Sequence, residues 1–228
     1  MILKKWEELP EQFQCEEVRP YYDMLKKQRV SLVLKRIFDI IVSFVLAVIL
    51  LPVMLVIAVI VKIDSAGPVF FMQERVTSMG KRFRIIKFRT MVKNAESMGS
   101  KVTTSCDCRI TRSGKWLRKL KLDEIPQVFN ILAGQMSFVG ARPEVPEYVS
   151  AYTPQMLSTL LLPAGLTSLA SIEYKDESEL IRQADDADSV YINIILPEKM
   201  KYNLEYLENI SLFKDISIMF RTAFSMLN

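Results

Sequence analysis

Residues 40–61 read IIVSFVLAVILLPVMLVIAVIV, a run of 22 residues without a charge in which only Ser43 and Pro52 are not hydrophobic. About 20 apolar residues are enough for one helix to cross a lipid bilayer, so the run is long enough to do so. This length argues against a buried helix of a soluble domain. We therefore expect the chain to be attached to a membrane, with this run deciding how the rest of it folds.

Basic residues stand on both sides of the apolar run: Lys35 and Arg36 precede it, and Lys62 follows it. The positive-inside rule places both flanks in the cytoplasm. Pro52, near the middle, removes a backbone hydrogen bond and can kink or break a helix. These facts predict a re-entrant helix hairpin over residues 35–62 that breaks at Pro52 and returns to the same face. A single spanning helix is the alternative that the residues leave open.

The charges of the chain are distributed unevenly. Its 228 residues are enough for one domain with appendages, and the formal net charge is only +4. Between Arg75 and Lys121, however, 14 lysines and arginines are opposed only by Glu96 and Asp107. Such a segment indicates an anionic partner, which can be a phosphate compound, a nucleic acid or an anionic membrane surface.

Two absences exclude several kinds of site. The chain has no histidine, which excludes histidine zinc ligands and histidine acid–base catalysis. Its three cysteines are Cys15, Cys106 and Cys108, too few for a disulfide framework or a structural metal site. This composition fits a reducing compartment.

A second informative stretch is Leu122-Asp123-Glu124-Ile125-Pro126-Gln127, at the end of the basic segment. Aspartate is a favoured N-cap and proline is tolerated in a first turn, so a helix is predicted from Asp123 to about Leu132. Gly134 is expected to end that helix.

The two adjacent carboxylates of this stretch suit phosphoryl chemistry. A helix N-terminus favours an ionised Asp123 by roughly 0.3–1 kcal/mol at exposed sites, and an ionised aspartate is a usable nucleophile. Glu124 points elsewhere and is a candidate ligand for Mg2+, together with Asp123. Ordinary helix capping by both residues is the alternative.

Short strands are predicted on the C-terminal side of the apolar run, at residues 69–71 and in the alternating basic and aromatic run 83–91. Alternation of this kind can indicate binding to nucleic acid, but the nearby membrane segment favours binding to a lipid phosphate or to a membrane surface. Residues 202–227 have helical apolar spacing, which fits either a helix on the membrane surface or ordinary core packing.

The ordered motifs between residues 35 and 143 resemble the bacterial sugar transferase family, the monotopic polyprenol-phosphate phosphoglycosyl transferases. The matching pieces are Lys35-Arg36 with Asp39, the apolar run interrupted by Pro52, Gly67-Pro68 with Phe70, Arg75 and Gly80, Lys87-Phe88-Arg89-Thr90-Met91, Asp107 with Arg109 and Thr111-Arg112, residues 122–127 with Asn130, Gly134 and Met136-Ser137, and Arg142-Pro143.

The resemblance implies an α/β fold: a small, mostly helical catalytic domain with short strands, carried on a re-entrant membrane helix hairpin. In this chain the division would be an N-terminal appendage at 1–34, the hairpin at 35–62 and a cytosol-facing catalytic domain at 63–228 that ends in an amphipathic helix. The location implied is the cytoplasmic face of a bacterial inner membrane.

The resemblance also implies a reaction in two steps. Asp123 would attack the β-phosphate of a UDP-sugar and expel UMP, and polyprenol phosphate would then take the phosphosugar, which starts a membrane-linked glycan. Mg2+ would be the cofactor, held by Asp123 and Glu124. The cations expected to contact phosphates are Lys87, Arg112, Arg118 and Arg142. The partners would be the UDP-sugar, polyprenol phosphate, membrane lipids and downstream glycosyl transferases, but no nucleic acid.

Three positions depart from the family pattern. Ala141 stands where proline is common, and Leu51 precedes Pro52 where some members have serine. Residues 162–167 read LPAGLT where Arg-Pro-Gly is expected, which puts the anion contacts of that loop in doubt.

Two other functions remain open on the residues. One is a non-catalytic, membrane-anchored adaptor that binds anionic lipid or nucleic acid through its basic segment. The other is a glycosyl transferase with one spanning helix, which would release UDP rather than UMP.

Overall fold

The computed structural model describes residues 3–95, 107–174, 177–182, 184 and 186–225. The helices are α1 (Arg19–Lys27), α2 (Arg29–Asp64), α3 (Arg112–Lys119), α4 (Gln127–Leu132), α5 (Pro146–Val149), α6 (Leu169–Glu173), α7 (Glu177–Arg182), α8 (Ala187–Val190), α9 (Leu196–Glu208) and α10 (Leu212–Ser225). The strands are β1 (Phe70–Val76), β2 (Arg82–Phe88), β3 (Met136–Val139) and β4 (Ala164–Thr167). The predicted class, mostly helical with short strands, is confirmed.

The apolar run forms the largest part of helix α2, which is 36 residues long. Its most apolar window has a mean hydropathy of 3.4 and is 17% buried within the protein. A straight helix of this length measures about 54 Å, more than the roughly 30 Å of a hydrocarbon core. The helix is therefore long and apolar enough to serve as a membrane anchor.

Helix α2 continues through Pro52 without a non-helical break. The hairpin predicted over residues 35–62 is thus not seen as two separate helices, and the role of Pro52 as its break stays a prediction. Proline costs one backbone hydrogen bond in a helix and tends to bend it, so the residue remains the point at which α2 can kink.

Both ends of α2 pack on the same domain. At the N-terminal end, Lys35 Nζ donates to Asp215 Oδ2 of α10 at 2.6 Å. At the C-terminal end, Asp64 Oδ2 accepts from the amide and hydroxyl of Ser113 in α3 at 2.9 and 2.7 Å. Between Ser43 and Met54 the helix has no buried residue. The middle of α2 is therefore the part that the domain covers least, although Leu46 and Leu50 still pack against hydrophobic clusters there.

Two small sheets build the rest of the framework. Strands β1 and β2 form an antiparallel hairpin that pairs Phe70 with Phe88 and Val76 with Arg82, which confirms the strands predicted from the sequence. Strands β3 and β4 pair in parallel, with Met136 opposite Ala164. In the first half of β2, Phe83 and Ile85 are buried while Arg82 and Arg84 are exposed, as expected for a strand with one face on a core.

Residues 3–27, in the predicted appendage, share the main hydrophobic core. Phe13 and Leu25 are fully buried in one cluster with Ile131 of α4 and Leu207 of α9. The segment is therefore packed on the domain. The boundaries 1–34, 35–62 and 63–228 themselves remain predictions.

The C-terminal region forms two helices, α9 and α10, separated by residues 209–211. Tyr206 and Ile218 are buried, whereas Phe213 and Phe220 are exposed. One face thus packs on the core, and the other leaves aromatic rings uncovered. Residues 226–228, at the end of the predicted amphipathic segment, lie outside the described part of the chain.

The buried Lys35–Asp215 pair gives a testable prediction for stability. Asp39, one turn further along α2, is also buried and feels the charge of Lys35. Lys35→Met leaves two buried carboxylates without their cation, which typically costs about 3 to 5 kcal/mol. Asp215→Leu keeps Lys35 beside Asp39, so we expect a smaller loss. The measurement is the midpoint of thermal unfolding in detergent for the parent protein and both variants, and an equal or larger loss in Asp215→Leu would contradict the prediction.

Candidate active site

The carboxylates Asp123 and Glu124 lie in a short 3₁₀ turn, Leu122–Glu124, between α3 and α4. Lys121, just before it, has a left-handed backbone with φ 55°, which turns the chain sharply. The prediction that Asp123 caps a helix is wrong, because α4 begins only at Gln127 and no side chain caps it. The predicted end of that helix is confirmed, since Gly134 has φ 81° just beyond Leu132.

Glu124 is held by two cations at one oxygen. Its Oε1 accepts from Lys87 Nζ of β2 at 2.8 Å and from an Arg142 guanidinium nitrogen at 3.0 Å. Burial favours the protonated acid, but the charges of Arg142 and Lys87 outweigh it and hold the pKa of Glu124 well below its ordinary value. Glu124 is therefore a fixed negative charge that positions both cations.

Asp123 is 7% exposed, and its Oδ1 has no hydrogen-bond partner in the described part of the chain. Burial raises the pKa of this carboxyl, and the charge of Glu124 raises it further, while Lys87 and Arg118 act in the opposite direction. A buried carboxylate oxygen without a partner is costly, so a site of this kind is suited to an incoming ligand.

A small, narrow cleft opens beside Lys87 and Arg142, the two cations that bind Glu124. Its lining residues are Arg75, Ile85, Lys87, Gln127, Arg142, Pro143 and Gly165. Three of these are cations, and burial lowers the pKa of the Lys87 ammonium against the opposing charge of Glu124. The cleft is therefore a small, electropositive site for an anion, and two of its cations, Lys87 and Arg142, bind Glu124, the neighbour of Asp123 in the sequence.

Two residues of this cleft, Arg75 and Gln127, were not among the predicted site residues. Arg75 of β1 donates to Pro143 O at 3.2 Å and lies on the hairpin face that also carries Lys87. Gln127 is 2% exposed, and its Nε2 has no hydrogen-bond partner among the residues described. The alternation of β1 and β2 could have pointed to Arg75, and the position of Gln127 at the end of the carboxylate motif could have pointed to that residue.

Of the four cations expected to contact phosphates, three are near the carboxylates. Lys87 and Arg142 bind Glu124 directly. Arg118 donates from Nε to Thr90 Oγ1 at 2.8 Å, and its charge acts on Asp123. Arg112 is exposed at the start of α3, and its charge acts on Asp64 instead. The structure thus does not bring Arg112 into contact with the carboxylates.

The loop that departs from the family pattern contributes backbone, not charge. Leu162 is buried in the hydrophobic core. Gly165 lines the cleft, and a Cβ at this position would collide with the backbone of Gly140. Arg75 and Arg142 line the cleft beside Gly165, so positive charge reaches this part of the site from other elements.

The carboxylate oxygens of Asp123 and Glu124 can hold Mg2+ only if a bound ligand supplies further oxygen atoms. No group of three or more acidic, cysteine or histidine side chains able to hold a metal occurs among the described residues. The free Oδ1 of Asp123 is a suitable hard oxygen donor, and Glu124 has a second oxygen that is not used by Lys87 or Arg142. Mg2+ is commonly bound by one or two carboxylates together with substrate phosphates, so Asp123 and Glu124 fit this arrangement.

Comparison with known proteins gives a match to the bacterial sugar transferase family over residues 30–228. The chain is 36% identical over 197 residues to a protein of Aeromonas hydrophila named UDP-N-acetylgalactosamine-undecaprenyl-phosphate N-acetylgalactosaminephosphotransferase, covering 85% of this chain and 44% of that protein. It is 35% identical over 199 residues to a UDP-glucose:undecaprenyl-phosphate glucose-1-phosphate transferase of Klebsiella pneumoniae, covering 86% and 40%.

A third relative, from Caulobacter vibrioides, carries the same glucose-1-phosphate transferase name. It is 32% identical over 200 residues, which cover 85% of this chain and 69% of that protein. This chain therefore spans about two fifths of the first two relatives, at 44% and 40% of their length, and a larger part of the third.

The cleft gives a prediction in which Arg112 is the matched control. Arg75→Gln should weaken the binding of pyrophosphate, a simple diphosphate probe, by about tenfold or more, because a hydrogen bond to a charged group contributes about 1.5 to 3 kcal/mol. Arg112→Gln removes the same charge outside the cleft and should have little effect. Isothermal titration calorimetry measures both, and equal losses would contradict the assignment of Arg75 to the site.

Proposed function

The chain belongs to the bacterial sugar transferase family, and on that premise we propose that it transfers a phosphosugar from a UDP-sugar to polyprenol phosphate. UMP is released, and a covalent aspartyl intermediate links the two halves of the reaction. The product begins a membrane-linked glycan, such as a lipopolysaccharide, capsule, exopolysaccharide or glycoprotein glycan. The names of the relatives, which specify UDP-sugars and undecaprenyl phosphate, support this substrate class.

The observation that carries the proposal is the contrast between two neighbouring carboxylates. Glu124 is neutralised by Lys87 and Arg142, whereas the buried Oδ1 of Asp123 has no partner among the residues described. A nucleophile must be free to bond, and the charge beside it must be balanced by cations that also hold the substrate. Asp123 meets the first need, and the cleft meets the second.

In the first step, an oxygen of Asp123 attacks the β-phosphorus of the UDP-sugar. The bond between that phosphorus and the oxygen bridging to the α-phosphate breaks, and UMP leaves with the electron pair. Lys87, Arg142 and Arg75 offset the negative charge that develops on the phosphoryl oxygens, since such transfers depend chiefly on positioning and charge neutralisation.

In the second step, the phosphate oxygen of polyprenol phosphate attacks the same phosphorus. The bond to the Asp123 oxygen breaks, which restores the carboxylate and yields a polyprenol diphosphate sugar. We assign the binding of Mg2+ to Asp123 and Glu124. The ion would supply charge neutralisation at the phosphate groups of the substrate.

The placement of α2 supports a monotopic attachment to the cytoplasmic face of a bacterial inner membrane. A single span would put the two ends of α2 on opposite faces, separated by a hydrocarbon core of about 30 Å. Yet Lys35 contacts Asp215 and Asp64 contacts Ser113, and both partners belong to one domain. A helix that bends at Pro52 and stays within one leaflet would keep both of its ends on the same face, as these contacts require. It would also leave polyprenol phosphate and later glycosyl transferases accessible on that face.

The main test measures which nucleotide is released. Purified protein in lipid discs receives polyprenol phosphate, Mg2+ and a panel of UDP-sugars that includes UDP-glucose and UDP-N-acetylgalactosamine. We expect UMP from the parent protein, and loss of turnover by several orders of magnitude in Asp123→Asn, because the amide is a poor nucleophile at phosphorus. Arg112→Gln is the control that keeps the carboxylates and the cleft.

The other outcomes of this test each favour another function. UDP instead of UMP would establish direct glycosyl transfer. No nucleotide release across the panel from a folded sample would favour the adaptor, whose affinity for anionic partners falls with salt and is insensitive to Asp123→Asn.

A second prediction concerns topology. Cys15, Cys106 and Cys108 are first replaced by serine. Two variants of that protein then each carry one cysteine, at the exposed position of either Lys26 or Lys119. Neither cysteine should react with a membrane-impermeant reagent in intact cells, and both should react after lysis, since a re-entrant helix keeps both sites in the cytoplasm. Labelling of Lys26→Cys alone from outside would establish a single span.

A further inference from the structure

The segment before residue 30 lies outside the family match, yet it is firmly placed. Leu3 and Leu9 are buried in the main core. The Trp6 ring packs edge-on against Tyr22, at 5.0 Å between centroids, and the Tyr22 hydroxyl donates to Lys4 O at 3.0 Å. These contacts fix the backbone of residues 3–8 beside the first turns of α2.

The outward apolar surface of α2 begins earlier than the sequence suggests. Its exposed apolar residues recur at helical spacing from the first turn onward and include Val30, Val33, Leu34, Ile37, Ile41 and Phe44. Lys35 and Arg36, which interrupt this run in the sequence, point inward: Lys35 binds Asp215, and Arg36 donates to Ile131 O and Leu132 O. The apolar surface is therefore continuous from Val30 onward.

An open cleft of about 790 Å³, including its mouth, lies at the start of this surface. It is lined by Leu3, Lys4, Lys5, Glu8, Arg29, Leu32 and Val33. The side chains of Lys4, Lys5 and Arg29 make no ion pair with any residue described, and Glu8 alone opposes them. The cleft thus combines a net positive rim with an apolar wall.

We propose that this cleft binds the phosphate headgroup of an anionic phospholipid, with the acyl chains lying along the apolar face that starts at Val30. The inference rests on the proposed seating of α2 in the membrane. Cations at the polar boundary of a membrane-inserted surface lie at the depth of the phosphate groups and attract anionic lipids. The unpaired charges of Lys4, Lys5 and Arg29 supply the headgroup contact, and the exposed Val33 beside them supplies the chain contact.

A phospholipid fits this cleft better than a soluble phosphate compound or a nucleic acid. Those ligands would gain from the cations but leave the exposed Val33 without an apolar partner. A phospholipid has a charged headgroup and apolar acyl chains. The headgroup would lie at Lys4 and Lys5, and the acyl chains would run towards the middle of α2. The lipid would hold the N-terminal segment against the membrane surface.

The test uses Trp6, which lies between Lys5 and Glu8, as a local probe. The protein has two tryptophans, so Trp116→Phe leaves Trp6 alone. This protein is placed in two preparations of phosphatidylcholine discs. One contains a small fraction of brominated phosphatidylglycerol, and the other contains the same fraction of brominated phosphatidylcholine. We expect the brominated phosphatidylglycerol to quench Trp6 fluorescence more strongly, because the cleft enriches it locally.

Two double variants distinguish the cleft from general attraction of positive charge. Lys4→Gln/Lys5→Gln should lower the enrichment by about 25-fold, at about fivefold for each cation near a membrane surface. Lys26→Gln/Lys27→Gln removes the same charge from the end of α1, outside the cleft, and should change little. Equal losses in the two variants, or equal quenching by the two lipids, would overturn the proposal.

Two further readouts keep the outcomes separate. Co-elution of the protein with discs reports whether α2 is seated in lipid, and UMP release from the same discs reports the proposed enzymatic function. Seated, active protein without preferential quenching would overturn only the lipid site. Relief of quenching by a trace of polyprenol phosphate would overturn the assignment to a bulk phospholipid.

Discussion

A single carboxylate oxygen, Oε1 of Glu124, joins three parts of the structure. It accepts from Lys87 on strand β2 and from Arg142 after strand β3, while its own residue lies in the turn before α4. Lys87 and Glu124 are largely buried and compensate each other, while Arg142 is partly exposed, so this contact fixes the hairpin, the loop and the turn together. The same charges let Asp123 remain buried with a free oxygen, and the anion cleft forms where these three parts meet.

The second constraint is the fastening of α2 at both of its ends. Lys35 and Asp215 form a buried pair at one end, and Tyr206 also donates to Asp215 at 2.6 Å. At the other end, the Arg89 guanidinium donates to Ser65 O at 2.6 Å, beyond the last turn of the helix. A helix held in this way leaves most of its apolar middle uncovered and packs both of its ends on the domain. The position of α2 and the position of the cleft are therefore set by the same domain.

The basic segment has several roles that composition alone does not separate. Arg82 pairs with Glu74 on the surface, where such pairs contribute little to stability. Arg109 is held by Asp107 close by in sequence, and Arg89 serves the end of α2. Lys87 and Arg118 are left to act on the two carboxylates. An adaptor that used this segment as one uniform charged surface would find many of its cations already engaged, and this distribution favours the enzyme.

The sequence by itself determined the kinds of element and the chemistry available. The apolar run, the alternation of β2, the stop at Gly134 and the adjacent carboxylates of Asp123 and Glu124 were readable because each is a local pattern. Only the tertiary structure decided which side chains face the site. Arg112 points outward, Arg75 and Gln127 line the cleft, and Lys35 and Arg36 turn away from the lipid side. Local periodicity specifies a helix or a strand, but the face that it turns towards a site depends on packing between segments far apart in the chain.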